Sequence, residues 1–354
     1  MKKKYIPINE PVVKSAVVEE ISDKDLDGLF VYAKKDSGDS EKIDAPRYSY
    51  WRSVFRVFFS RKLNWLMFGI LLVILLLAFI WPAISGYDGS AHPYINTPSE
   101  HYLMPSWYSV FTIFMNSEDA AEFMTKVSTT RLSLFGTDQT GDQLWDVIWS
   151  GTKTSLELAF ICTAINMTVG IIVGAVWGYS KKFDKIMTEV YNVIANVPFL
   201  LIIMIFMYVM GRGFWNLVIA MTVTGWMGIA YFIRTQVIII RDREYNLASR
   251  CLGTPISRMV TKNILPYLTS VIVTIVANEL PSYISYEVFL TYLGVGLDPS
   301  KPSLGVTINT YTTYMDQNPH LFWIPVGVAA LVTITLYVIG QSLGDASDPR
   351  THMM

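Results

Sequence analysis

The sequence predicts an all-α membrane protein with six transmembrane helices and both termini in the cytoplasm. Three observations carry that expectation. The 354 residues are 52% hydrophobic and 16% charged, against about a quarter charged in soluble domains. The apolar residues gather into long blocks between residues 65 and 340, while the first 64 residues are polar and charged. Basic residues then alternate from one inter-block connection to the next.

The expected spans are residues 65–84, 156–179, 190–210, 214–233, 268–290 and 321–340. Runs of about 20 apolar residues cross a hydrocarbon core of roughly 30 Å as helices, which satisfy their own backbone polar groups. The fifth run is the least regular, because Asn278, Glu279 and Pro281 interrupt it. Arg47, Arg52, Arg56, Arg61 and Lys62 precede the first span, and Lys181, Lys182 and Lys185 follow the second. Arg234, Arg241, Arg243, Arg250, Arg258 and Lys262 separate the fourth from the fifth. The connection over residues 86–154 carries eight acids and only Lys126, Arg131 and Lys153. By the positive-inside rule the basic connections face the cytoplasm.

The expected organisation is a cytoplasmic tail with an interfacial helix (1–64), a first spanning helix (65–84) and an extracytoplasmic segment (85–154). A core domain of five spans (155–343) and a cytoplasmic tail (344–354) follow. Residues 48–62, YSYWRSVFRVFFSRK, suit either an interfacial helix or a basic flank with aromatic anchors. The start MKKK is followed by no apolar stretch, so no cleavable signal peptide is expected. Near-neutral net charge gives no field for nucleic acid. Four histidines without ligand spacing, and Cys162 and Cys251 in dissimilar surroundings, point to neither a metal nor a disulfide.

Residues 244–266, EYNLASRCLGTPISRMVTKNILP, read as two short helices joined at a corner. Gly253 ends the first, Thr254 caps the second, Pro255 enters its first turn and Pro266 stops it. Glu244, Ala248 and Leu252 share one face. Such a hairpin suits a groove on another protein, although an ordinary connection fits the spacing equally well. Within the spans, Asn166, Asn196, Asn278, Glu279 and Glu287 are polar and costly in lipid. Helix–helix hydrogen bonding accounts for asparagines more readily, whereas Glu279 beside Pro281 suits a water-filled path. No G-x-x-x-x-G-K-[ST] phosphate loop is present, so ATP hydrolysis by that route is not expected of this chain.

The hairpin resembles the EAA loop of bacterial ABC importer permeases, in the peptide-importer form E-Y-x-x-A-A-R-x-L-G. Glu244, Tyr245, Ala248, Arg250, Leu252 and Gly253 match, and Ile264, Leu265 and Pro266 stand near the motif's end. Ser249 replaces the usual second Ala, and Asn263 stands where that branch often has His. Residues 135–156, 291–309 and 344–350 resemble further stretches of the C-type permease of oligopeptide, dipeptide and nickel importers. Asp142 there takes the place of a usual Arg.

The resemblance implies a type I ABC importer permease fold. It also implies a subunit that translocates oligopeptides across the cell membrane and is not itself an enzyme. It assigns coupling to Glu244, Tyr245, Ala248, Ser249, Arg250, Leu252, Gly253, Pro255, Asn263, Leu265 and Pro266. Asn278, Glu279 and Trp226 are expected along the translocation path, although Trp226 and Tyr231 also suit simple packing. The implied partners are a homologous second permease, two ATPase subunits that use ATP and magnesium, and an extracytoplasmic peptide-binding protein. This chain itself is expected to bind no cofactor. Dipeptides or nickel chelates are alternative cargoes. An ion-gradient-driven secondary transporter is the alternative of a different class, and it predicts more intramembrane charge than this chain holds.

Overall fold

A computed structural model describes residues 49–89, 92, 95–114, 120, 121, 124–127 and 133–348. The tail over residues 1–48 and the terminus over 349–354 lie outside the described residues, and with them part of two expected segments. Among the described residues the fold is helical, with isolated β-bridges and no strand.

Helix α1 (Tyr50–Phe58) precedes α2 (Lys62–Phe79) and α3 (Trp81–Ser85), which together form the first span. Pro82 begins α3 and Gly86, at φ +69°, ends it. Helix α1 is amphipathic. Val54 and Phe58 are buried against Ala346 and Leu343 of the last helix. The Tyr50 hydroxyl donates to the Ser347 carbonyl at 2.8 Å, and Arg61 approaches Asp345 at 3.7 Å. The helix is therefore docked on protein through one face.

Helix α4 (Leu144–Tyr179) begins 12 residues before the expected second span. At 36 residues it is about 54 Å long, well beyond a hydrocarbon core. Its first turns, with Trp145, Asp146 and Lys153, are too polar for a hydropathy reading yet remain helical. They occupy what was expected to be the end of the extracytoplasmic segment.

The third expected span is not one straight helix. Helix α5 (Lys181–Ala195) and α6 (Phe199–Met210) meet at 77° across residues 196–198. Pro198 lacks an N–H and pushes Val197 out of helical backbone, so a largely apolar run is broken by its backbone chemistry. Helix α7 (Phe214–Arg241) then packs along α4. Gly170, Gly174 and Gly178 face Ile229, Ala230, Ile233, Arg234 and Val237 so closely that a Cβ on any of them would overlap a neighbour. Small residues four apart let two membrane helices approach to backbone contact.

Helices α8 (Glu244–Cys251) and α9 (Ile256–Arg258) form the hairpin, and a π-turn over Met259–Ile264 and a 3-10 turn over Leu265–Leu268 lead on to α10 (Thr269–Tyr292). Pro266 thus changes the winding and does not stop the helix; Ile256–Tyr292 runs on as one span-length element. Asn278, Glu279 and Pro281 do not interrupt α10 either, which carries Pro281 inside it. Helices α11 (Leu304–Thr312) and α12 (Pro319–Ser347) complete the fold. Five helices or helix pairs are long and apolar enough to cross a membrane, or six with the bent pair α5–α6.

The end of the bundle opposite the hairpin is closed by a polar cap. Asp138 forms an Asx-type turn: its Oδ1 accepts from Thr140 N at 2.8 Å and Asp142 N at 3.0 Å. Tyr311 donates to its other oxygen at 2.9 Å. Asp142 is buried, within 2.5 Å of His92 Nδ1 and 3.3 Å of the Tyr87 hydroxyl. Burial first, and then the Asp142 charge, raise the Tyr87 phenol above its ordinary range.

Candidate coupling hairpin and translocation cavity

The two arms of the hairpin have opposite surroundings. On the α8 arm and at the corner, Glu244, Tyr245, Ala248, Arg250, Leu252, Gly253 and Pro255 are all exposed, while Ser249 is half-buried. Leu252 is 87% and Ile256 55% exposed, which puts apolar area at the tip. On the returning arm, Met259, Val260, Ile264 and Leu268 are buried in one cluster with Met167 and Ala175 of α4 and Ile229, Ile233, Val237 and Ile240 of α7. Leu265 packs against that cluster, and Pro266 is exposed.

The corner itself is made by Gly253 at φ +77°, a left-handed conformation natural to glycine. Thr254 does not cap the second helix. Pro255 occupies the cap position, without a side-chain hydrogen bond, because the turn spends one more residue than the spacing suggests.

Polar contacts tie the arms together. Asn246 is buried and donates to the Ile240 carbonyl at 2.9 Å. Asn263 reaches Asn246 Oδ1 and Ser249 Oγ, each at 3.4 Å. The Arg250 guanidinium lies 5.4 Å over the Tyr179 ring at the end of α4. Nearby, Arg241 donates to the Gly178 carbonyl at 2.7 Å, and Arg234 pairs with Asp184 beside Trp177. Sequence reading missed Asn246 and the Arg234–Asp184 pair. Asn246 gave no signal, because an asparagine in a polar loop is unremarkable until its burial is seen.

The second site lies at the α5–α6 bend. A cavity of about 360 Å³ opens there, lined by Tyr191, Pro198, Phe199, Thr224, Glu279, Tyr283 and Tyr286 among others. A neighbouring cavity of about 420 Å³ shares Gly228 and Glu279 with it and includes Asn278. Glu279 therefore stands between two openings. Asn166 is fully buried and donates to the Tyr283 hydroxyl at 2.6 Å and to the Met221 carbonyl at 3.3 Å. This is helix–helix bonding, as its residue type suggested. Asn278 is exposed and donates to its own helix at Thr274, as Asn196 does at Asn192.

Trp226 lines neither cavity; its indole N–H donates to Val223 of its own helix at 2.9 Å. Tyr231 stacks on Tyr191 at 4.4 Å, which is packing. Glu287 is buried, accepting from Ser155, Ser303 and Thr291. It joins α4, α10 and α11 and lines neither of the two cavities.

The lipid-spanning helices, the long α4–α7 contact and an exposed helical hairpin define a multi-pass membrane protein of transporter type. Residues 166–353 match the family of binding-protein-dependent transport system inner membrane components, and residues 49–105 match the N-terminal transmembrane domain of oligopeptide transport permease C. The chain is 46% identical to the oligopeptide transport system permease protein AmiD of Streptococcus pneumoniae, over 91% of this chain and 97% of that one. It is 28% identical to the oligopeptide permease OppC of Bacillus subtilis, over 91% and 97%. With the dipeptide permease DppC of the same species it shares 28% over 97% and 99%. The chain belongs to the binding-protein-dependent inner membrane component family, in the C-type branch of oligopeptide and dipeptide ABC permeases. A chain of the inward-facing MetNI methionine ABC transporter overlaps 57% of this chain and 96% of its own, at 17% identity and a TM-score of 0.48.

Proposed function

We propose that this chain is one of two permeases of an ATP-driven oligopeptide importer, moved by separate ATPase subunits that grip residues 244–266. The observation that carries the coupling role is the asymmetry of the hairpin. Its tip presents Leu252 and Ile256 to the outside, while its returning arm is embedded in the α4–α7 core. An exposed apolar tip of this kind fits a groove on a partner. A displacement applied at the tip passes into α4 and α7 through close-packed side chains, which transmit strain.

The mechanism follows as a two-state switch. Closure of the ATPase pair pulls the α8 arm, and Asn263, Asn246 and Arg250 keep both arms and the end of α4 moving together. The spans then tilt between inward-open and outward-open arrangements around a shared path with the second permease. ATP and magnesium act on the ATPase subunits, and an extracytoplasmic binding protein delivers peptide. In this reading the hairpin lies in the cytoplasm with α1 and the end of α12, and Glu279 and Asn278 face the path. The peptide reading draws its support from the names of the relatives most similar in sequence.

The test is reconstitution of the full transporter in vesicles, with ATP supplied to the ATPase side. Peptide uptake that depends on ATP is expected, with Leu252→Asp abolishing both co-purification of the ATPases and uptake. Full uptake by Leu252→Asp overturns the coupling assignment.

A further inference from the structure

The coupling hairpin leaves one carboxyl group unexplained. Glu279 projects from α10 where the two cavities meet, at the bend forced by Pro198. Among the described residues no Lys or Arg forms an ion pair with it. Tyr283, four residues on along α10, lines the first cavity with it. Asn166 donates to the Tyr283 hydroxyl at 2.6 Å and fixes that ring at the cavity wall. Gly225 makes this arrangement possible, since a Cβ there would overlap the Asn166 amide.

In front of the carboxyl the wall is aromatic: Tyr191, Phe199 and Tyr286 line the same cavity. Tyr191 is held flat against Tyr231 and Phe199 edge-on to Tyr286. A carboxyl group bordered by aromatic rings is chemistry suited to a cation, through charge pairing and ring faces.

We propose that Glu279 and these rings form a transit subsite for a primary ammonium group of the peptide, above all its amino terminus. The proposal rests on the peptide reading above and deepens it. Peptides of any sequence share an amino-terminal ammonium, so one fixed acid serves a cavity whose other walls are mostly apolar and indifferent to side chains. A subsite of moderate strength also suits transport, since a passing ligand must leave again.

The test uses the complete reconstituted transporter and three probes at concentrations that saturate the binding protein. These are tetra-alanine, N-acetyl tetra-alanine, and an N-acetylated peptide with one lysine. Uptake per ATP hydrolysed is the readout. With Glu279→Gln, the ratio of free-amine to acetylated uptake is expected to fall about tenfold, the scale of one charge-assisted hydrogen bond. With Glu279→Asp the ratio stays within about threefold of wild type. A Gln-sensitive gain from the internal lysine assigns the subsite to ammonium groups in general; its absence confines the subsite to the amino terminus. An unchanged ratio in Glu279→Gln overturns the proposal. So does loss of the second permease on purification of that variant, which would place the charge in the permease interface. Failure of wild type to take up any peptide overturns the peptide reading itself, and is recognisable because no variant is needed to see it.

Discussion

The side-chain amide of Asn263 lies 3.4 Å from the hydroxyl of Ser249, across the corner of the hairpin. These are the two positions at which the hairpin departs from the peptide-importer pattern, with Ser for the second Ala and Asn for His. They are 14 residues apart in sequence and touch in space. Ser249 donates its own proton to the Tyr245 carbonyl at 2.9 Å, leaving its oxygen free to accept from Asn263. The two departures therefore read as one exchange of partners.

A double-mutant cycle tests that pairing. Ser249→Ala and Asn263→Ala should each cost about 0.5–1 kcal/mol, with the double variant short of their sum by about 0.5 kcal/mol. Thermal unfolding in detergent measures this. Strict additivity would mean that the contact carries no energy.

Gly253 is a second test of the hairpin. At φ +77° a Cβ on Gly253 would meet nothing within 4 Å, so a substitution there strains backbone without a clash. Gly253→Val should cost about 1–2 kcal/mol locally and redirect the tip, uncoupling ATP hydrolysis from peptide uptake while the permeases still assemble. Gly253→Asn tolerates the left-handed region better and should retain most uptake. Equal loss in both variants would show that the angle of the corner is not what matters.

Much of the fold was legible because a bilayer imposes long apolar runs, and all of those runs but the third became single helices. What was missed has physical reasons. The early turns of α4 are helical outside the hydrocarbon, where hydropathy is silent. The α5–α6 break is decided by backbone chemistry at Pro198, inside a run that hydropathy reads as one span. At the cavity, Glu279 stood out as an acid in a span, but Tyr283 and Tyr286 look like any other aromatic residues in an apolar helix. Tyr283 is placed by Asn166, which lies 117 residues from it in sequence. The Gly170, Gly174 and Gly178 ladder went unread in the sequence, because only the facing α7 gives it meaning.

That ladder makes a sharp prediction. A Cβ at Gly174 would press on the Ala230 backbone, which cannot swing aside. Gly174→Leu should therefore destabilise the bundle by about 3 kcal/mol or more, seen as a fall in melting temperature in detergent. Gly69, exposed on the first span, has nothing within 4 Å of its Cβ position. Gly69→Leu should leave the melting temperature nearly unchanged. Similar losses at both sites would remove the argument that α4 and α7 meet through these glycines.

Glu287 offers a final test, because burial and hydrogen bonding there make opposite demands. Its carboxyl accepts from Ser303 at 2.7 Å, Ser155 at 2.9 Å and Thr291 at 3.3 Å. The same serine oxygens are already committed as acceptors, Ser155 from Leu304 N and Ser303 from Val306 N. A side-chain amide at this position brings a donor to oxygens that have little acceptance left. Glu287→Gln should thus cost about 1–2 kcal/mol. Glu287→Ala strands three hydroxyls and opens a void, and should cost about 3–5 kcal/mol. Because Ser303 caps α11, protease cleavage within 304–312 should rise in the same order, Ala above Gln above wild type. A glutamine variant as unstable as the alanine variant would mean that the acid is required as such, and that its role exceeds that of an acceptor joining three helices.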